Sequence, residues 1–230
     1  MKSALYTYQQ SESTIDYDGH IALLFFTQGC NFRCRYCHNP ELIPFEDNNM
    51  TYDELGTVLE RARDNWIDGI CITGGEPTLQ KAIVETAMFI KKFNMDLKVD
   101  TQGSLPRTLE KLLPHCDYIA MDYKMPMDRY SSLAGVNVNP DHIRESLELL
   151  KKGTTHYEVR TTVIPGIHGE EDIRQICTEL EGVNRFVLQT FIPRENLPAE
   201  ELRTTEKTPA SMLEAYADIC RDHFHEVITR

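Results

Sequence analysis

Six short runs of β-branched and aromatic residues, each followed by a stretch of helical periodicity, constrain this chain more than any other feature. The runs cover 21–27, 69–73, 97–101, 118–123, 157–164 and 186–192. They are nearly continuous in apolar character, the pattern of strands buried on both faces. Between and after them lie stripes at three- and four-residue spacing, such as Leu55, Leu59 and Ala62, or Ile143, Leu147 and Leu150. Helix ends are marked as well. Thr51 and Glu54 are spaced as a capping box, Asn139 and Pro140 open a helix that Gly153 closes, and Thr208-Pro209 start the last one.

A strand followed by a crossover helix, repeated along the chain, implies a parallel sheet covered by helices. Six units are too few to close an eight-unit barrel. The expected fold class is therefore α/β, a partial (β/α)6 TIM-like barrel of parallel strands, with a doubly wound sheet as the other candidate. Either would place its site at the carboxyl ends of the strands. No repeat, low-complexity stretch or Pro-, Gly- or Ser-rich linker divides the sequence, so a single domain over 1–230 is expected. The polar stretch 194–208 reads as the longest surface loop.

Aspartate and glutamate outnumber lysine and arginine 36 to 24, for a net charge of -12, which argues against a basic face for nucleic acid. The longest apolar run, Ile21 to Phe26, is far below the roughly 20 residues that cross a bilayer. The first residues lack the basic start and apolar middle of a secretory signal, so a cytoplasmic protein without a membrane partner is expected.

An odd number of cysteines, seven, in a reducing compartment points away from a disulfide framework. Cys71, Cys116, Cys177 and Cys220 are scattered and read as small buried hydrophobes. Cys30, Cys34 and Cys37 fall together after the first strand. Their Cys-x3-Cys-x2-Cys spacing lets one loop wrap three thiolates around a metal centre and leaves a fourth position open for a substrate or cofactor. A structural zinc closed by His38 is the alternative, made awkward by the adjacency of Cys37 and His38. The other unusual residues also follow strands: Gly74-Gly75-Glu76-Pro77, Asp100-Thr101-Gln102-Gly103, Asp122 with Lys124, and Pro165-Gly166.

The run Gly29-Cys30-Asn31-Phe32-Arg33-Cys34-Arg35-Tyr36-Cys37-His38-Asn39-Pro40, followed by Gly74-Gly75-Glu76-Pro77, resembles the radical S-adenosylmethionine (SAM) enzymes, and among them the glycyl-radical-enzyme activases. Phe26 to Cys30, Ile72 to Gln80, Ala120 to Lys124 and Leu188 to Phe191 make the chain most similar to the activating proteins of anaerobic ribonucleoside-triphosphate reductase.

The resemblance implies one [4Fe-4S] cluster held by Cys30, Cys34 and Cys37, with its fourth iron offered to the amino and carboxylate groups of SAM. Reductive cleavage would give a 5'-deoxyadenosyl radical, which removes a hydrogen from a glycine of the partner; the charge of Arg33 and Arg35 beside the cysteines suggests a flavodoxin or ferredoxin as electron donor. By the same likeness, Gly74, Gly75, Glu76 and Pro77 suit the methionine amine, Lys124 oriented by Asp122 suits its carboxylate, and Tyr36 and His38 lie beside the adenosyl part. Asp100, Thr101 and Gln102 stand where such activases usually carry Asp-Thr-Asn-Gly, so Gln102 is a departure. Arg160 and Gln189 are weaker cofactor-binding candidates. Between Cys37 and Gly74 the only cysteine is Cys71, which leaves no inserted ferredoxin-like domain. Arg33 and Arg35 give the cysteine loop a positive spot suited to an acidic donor. A radical SAM enzyme acting on a small molecule and a noncatalytic zinc module are the competing readings.

Overall fold

A computed structural model describes the whole chain, residues 1–230. In chain order the elements are β1 (Thr7–Tyr8), β2 (Ala22–Thr27), α1 (Tyr52–Asp64), β3 (Gly69–Gly74), α2 (Ile83–Lys91), β4 (Asp96–Thr101), α3 (Pro106–Leu112), β5 (Tyr118–Asp122), α4 (Tyr130–Ala134), α5 (Pro140–Lys152), β6 (His156–Val163), α6 (Glu170–Glu179), β7 (Arg185–Thr190), α7 (Glu200–Arg203), α8 (Ala210–Cys220) and β8 (Glu226–Thr229). All eight strands belong to one open sheet and follow each other in sequence order. A doubly wound sheet reverses its strand order partway. This one does not, so of the two candidate folds the partial barrel is realised.

The six expected strands are present as β2 to β7, each within about two residues of its expected ends, the usual uncertainty of element boundaries. Two edge strands were not expected. β1 pairs antiparallel with β2, Thr7 opposite Phe26, and β8 runs parallel to β7. The expected loop 194–208 contains the short helix α7. No helix is long and apolar enough to cross a membrane.

The chain forms two compact units. The first comprises 1–31, 41–120 and 141–156. Its parallel strands align Leu23 with Ile70 and Leu97, and Phe25 with Ile72 and Val99, two rows that exclude water from both sheet neighbours. Helix α1 begins where the sequence predicts. Thr51 Oγ1 accepts from the Glu54 amide at 3.2 Å while Glu54 accepts from the Thr51 amide at 2.8 Å. Its buried stripe is Leu55, Leu59 and Ala62.

The second unit comprises 32–40, 121–140 and 157–230. Here Val159 aligns with Phe186 and Val227, and α6 packs against α8. Buried Glu158 is neutralised by two arginines, Arg185 at 3.3 Å and Arg230 at 3.2 Å.

Candidate functional site

In the first unit, the parallel order of β2, β3 and β4 brings their carboxyl ends to one edge of the sheet. The cysteine loop leaves β2 under tight backbone control. The Gly29 amide donates to Leu42 at 2.8 Å and the Cys30 amide to Ile43 at 3.0 Å. From β3, the amides of Gly75 and Glu76 donate to the carbonyls of Thr27 and Gly29, each at 2.9 Å. This approach requires glycine. Gly74 sits at φ +111°, and a side chain at Gly75 would collide with the Gly29 carbonyl. Gln80 adds a further tie, its Nε2 donating to the Gln28 carbonyl at 2.9 Å.

Glu76 is fully buried and caps the short 3-10 turn that Pro77 begins. Its carboxylate accepts from the Thr78 amide (3.0 Å) and hydroxyl (2.5 Å), the Thr101 hydroxyl (2.7 Å) and the Gln102 amide (2.9 Å). Burial pushes this carboxyl up, the hydrogen bonds oppose it, and the net shift is upward. The carboxylate thus joins the end of β3 to the end of β4. Gln102 is equally engaged: Nε2 donates to Asn31 at 2.9 Å and Ser104 at 2.8 Å, and Oε1 accepts from the Ser104 amide at 3.0 Å. Asp100 pairs with buried Lys98 at 3.1 Å.

In the second unit, the remainder of the loop is held from two directions. The Arg33 and Arg35 amides donate to the carbonyls of Ala134 (2.9 Å) and Leu133 (3.2 Å), and the Cys37 amide turns back to Cys34 at 3.1 Å. Gly135, at φ +70°, ends α4 against the Arg33 carbonyl, where a Cβ would collide. From the segment after β7, the Ala199 amide donates to Arg35 at 3.1 Å and Asn196 to the His38 carbonyl at 3.2 Å, and Glu201 pairs with Arg35. His38 Nε2 is 2.9 Å from the Ile192 carbonyl, and its ring stacks on Phe191.

Lys124 is a buried cation. Its Nζ lies 3.4 Å from the Tyr36 hydroxyl, 5.5 Å from the centre of that ring and 3.5 Å from Asp122. Arg160 grips Asp122 through Nε at 2.9 Å and Nη2 at 2.8 Å. Burial works to lower the Lys124 ammonium, but Tyr36, Cys34 and Asp122 hold it well above its ordinary value, so it stays charged. Burial would raise Asp122, and Arg160 and Lys124 overcome this to hold it low. Burial raises the Cys34 thiol, and the Lys124 charge pulls it back toward thiolate. Gln189 stands opposite Thr162 in register, and therefore on the same sheet face as Arg160.

Thiolates are the donors that an iron–sulfur cluster takes. Cys30, Cys34 and Cys37 are partly accessible and in no disulfide, whereas the other four cysteines are buried. The structure brings Glu76, Thr101 and Gln102 together in the first unit, and Tyr36, Asp122, Lys124 and Arg160 in the second. Sequence reasoning missed the residues that hold others in place. His168 accepts from the Ile164 amide at Nδ1 (3.0 Å) and faces the Lys124 carbonyl with Nε2 (2.9 Å). Asn31, Ser104, Gly135, Asn196 and Glu201 were missed too, because each acts through a contact distant in sequence.

The sequence profile of the Radical SAM superfamily matches residues 24–179. A protein of Methanocaldococcus jannaschii, provisionally named a glycyl-radical enzyme activating enzyme, is 31% identical over 95% of this chain and 92% of its own length. The pyruvate formate-lyase-activating enzyme of Staphylococcus aureus is 27% identical over 79% of this chain and 78% of its own. The crystal structure of Streptococcus suis SuiB bound to SAM superposes with a TM-score of 0.72 at 15% identity, covering 92% of this chain. That likeness shows the fold, and the chain spans about half (52%) of SuiB. The chain belongs to the radical SAM superfamily, whose members bind a [4Fe-4S] cluster and SAM, and within it to the glycyl-radical-enzyme activating enzymes.

Proposed function

We propose that this protein installs a glycyl radical on a partner enzyme, and that the partner is an anaerobic ribonucleoside-triphosphate reductase. The observation that carries the reading is the loop of three accessible thiols, Cys30, Cys34 and Cys37, in a chain whose other cysteines are buried. The choice of partner rests on the resemblance of the motif segments alone. When bound, the cluster supplies an electron to the sulfonium of SAM and so a primary carbon radical able to take hydrogen from glycine.

The protein's own residues bind and orient. Cys30, Cys34 and Cys37 would hold three irons. Lys124, charged and desolvated, would take the methionine carboxylate, with Asp122 aiming it and Arg160 fixing Asp122. Tyr36 stiffens the lysine from the other side. The backbone of Gly74 and Gly75 would accept the methionine amine, and Glu76 keeps that backbone in position rather than offering its own oxygens. Pro77, Asp100, Thr101 and Gln102 would shape the same edge, and His38 and Gln189 would flank the nucleoside. This reading treats 1–230 as a single cytoplasmic domain that receives electrons from flavodoxin or ferredoxin.

The test is anaerobic reconstitution with iron and sulfide, then reduction with SAM in the presence of the reductase. Formation of 5'-deoxyadenosine together with a glycyl-radical resonance on the partner is expected. Failure to take up iron and sulfide, or intact SAM after reduction, would sink the enzyme reading, and zinc without iron would favour the binding module. Cleavage of SAM with a modified metabolite and an unlabelled partner would replace the protein substrate with a small molecule.

A further inference from the structure

Two of the four interior cysteines are neighbours. Cys177 lies on α6 and Cys220 ends α8, and their Sγ atoms are 3.5 Å apart. That is sulfur–sulfur contact distance, about 1.5 Å longer than a disulfide bond. Both side chains are 0% exposed, on helices that pack against each other and that also bury Ile173 and Ile176 on α6 and Leu213 and Ala217 on α8. The two thiols share a hydrogen bond, which makes Cys177 the more acidic of the pair and raises Cys220.

We propose that Cys177 and Cys220 form a redox-modification site, in which a peroxide converts the two thiols to a disulfide that staples α6 to α8. The thiolate of Cys177 attacks one oxygen of hydrogen peroxide, the O–O bond breaks, and a sulfenic acid forms while the departing hydroxide takes a proton to become water. Cys220 then attacks the sulfenic sulfur. An S–S bond forms, the S–O bond breaks, and the Cys220 proton leaves with the oxygen as a second water. Two thiols lose two electrons and two protons, and one peroxide becomes two waters.

Burial sets the rate and the consequence. Neither sulfur reaches solvent, so oxidation proceeds through local opening of α8 and is slower than oxidation of the accessible loop thiols. Once formed, the bond closes the chain from 177 to 220, which includes β7, α7 and α8, and restricts the unfolded state. It leaves Lys124, Asp122 and Arg160 untouched.

The experiment uses the full chain with Cys30, Cys34 and Cys37 all replaced by alanine, so that loop thiols cannot exchange with the pair. The folded protein is titrated with hydrogen peroxide, free thiols are blocked, and it is digested with trypsin without reductant. Peptides 175–185 and 208–221 are expected as one disulfide-linked species that dithiothreitol separates, with a Tm several degrees above that of the reduced protein. The same chain carrying Cys177→Ser should give neither the linked peptide nor the rise in Tm. The proposal is overturned if the folded protein gives no linked peptide, if it accumulates sulfinic acid at either cysteine instead, or if the link appears only in urea.

Discussion

Glu76 shows how a motif residue legible in sequence can have protein partners that the sequence does not reveal. Its position after a strand was legible from sequence, but a carboxylate beside glycines suggested an acceptor for a ligand amine. The structure turns it toward Thr78, Thr101 and Gln102, four donors surrounding two oxygens. Glu76→Gln places an NH2 against at least one backbone N–H that cannot rotate away, and should cost about 1–3 kcal/mol in urea unfolding. Unchanged stability would mean that this carboxyl does not join the two strand ends. Lys124 answers a different question. If Lys124 takes the methionine carboxylate as proposed, Lys124→Met removes one charge-assisted hydrogen bond to SAM, and a loss of about 1.5–3 kcal/mol raises the KM for SAM roughly ten- to a hundredfold. Iron content should stay at the wild-type level, because Lys124 is not a ligand. An unchanged KM would remove Lys124 from the SAM contacts. The partners of Gln102 were not legible in sequence, since both of those on its side-chain nitrogen, Asn31 and Ser104, depend on how β4 meets the loop after β2.

At the scale of elements, apolar periodicity located the six inner strands because each buries both faces. β1 and β8 escaped notice: the first has two residues, and the second has four with none of them buried, so neither carries a run. The αL end of α4 is likewise silent in sequence, yet it positions the amide-bound part of the cysteine loop. Gly135→Ala adds a left-handed alanine, about 1–2 kcal/mol, and a clash with the Arg33 carbonyl. Iron bound per chain after reconstitution should fall well below wild type, and normal loading would show that α4 does not set the loop. The turn after β6 titrates. Burial holds His168 below its ordinary value of 6.5, and its Nδ1 must remain a lone-pair acceptor for the Ile164 amide. Above pH 6.5 the ring is neutral both folded and unfolded, so its contribution to stability is fully present. As pH falls from there through the lower folded value, the unfolded chain binds the extra proton first, and stability is lost by up to about 1.4 kcal/mol per pH unit. Thermal unfolding from neutral to mildly acidic pH should show this decline. His168→Gln should flatten the decline without abolishing it, because burial lowers His38 in the same direction. An identical slope in the variant would exclude His168.

For the molecule as a whole, strand alternation and the cysteine loop made the fold and the chemistry legible, whereas charge was legible only as a sum. The chain carries 36 acidic and 24 basic residues, and the sequence suggested that Arg33 and Arg35 locally reverse that sign. In the structure Arg35 is paired with Glu201, and Arg33 donates to the Phe32 carbonyl beside it at 2.8 Å. Pairing with Glu201 offsets the Arg35 charge. If the donor is an acidic flavodoxin or ferredoxin, as proposed, it meets a surface whose long-range field is repulsive, and at low salt this field reaches about 30 Å, falling to about 8 Å at physiological ionic strength. The rate of reduction by such a donor should therefore rise as salt is added, while reduction by a small neutral chemical reductant stays constant. Glu201→Gln frees Arg35 and should make the protein-donor rate at low salt faster. A wild-type rate that falls with salt would restore the arginines as a steering site and displace net repulsion as the controlling term.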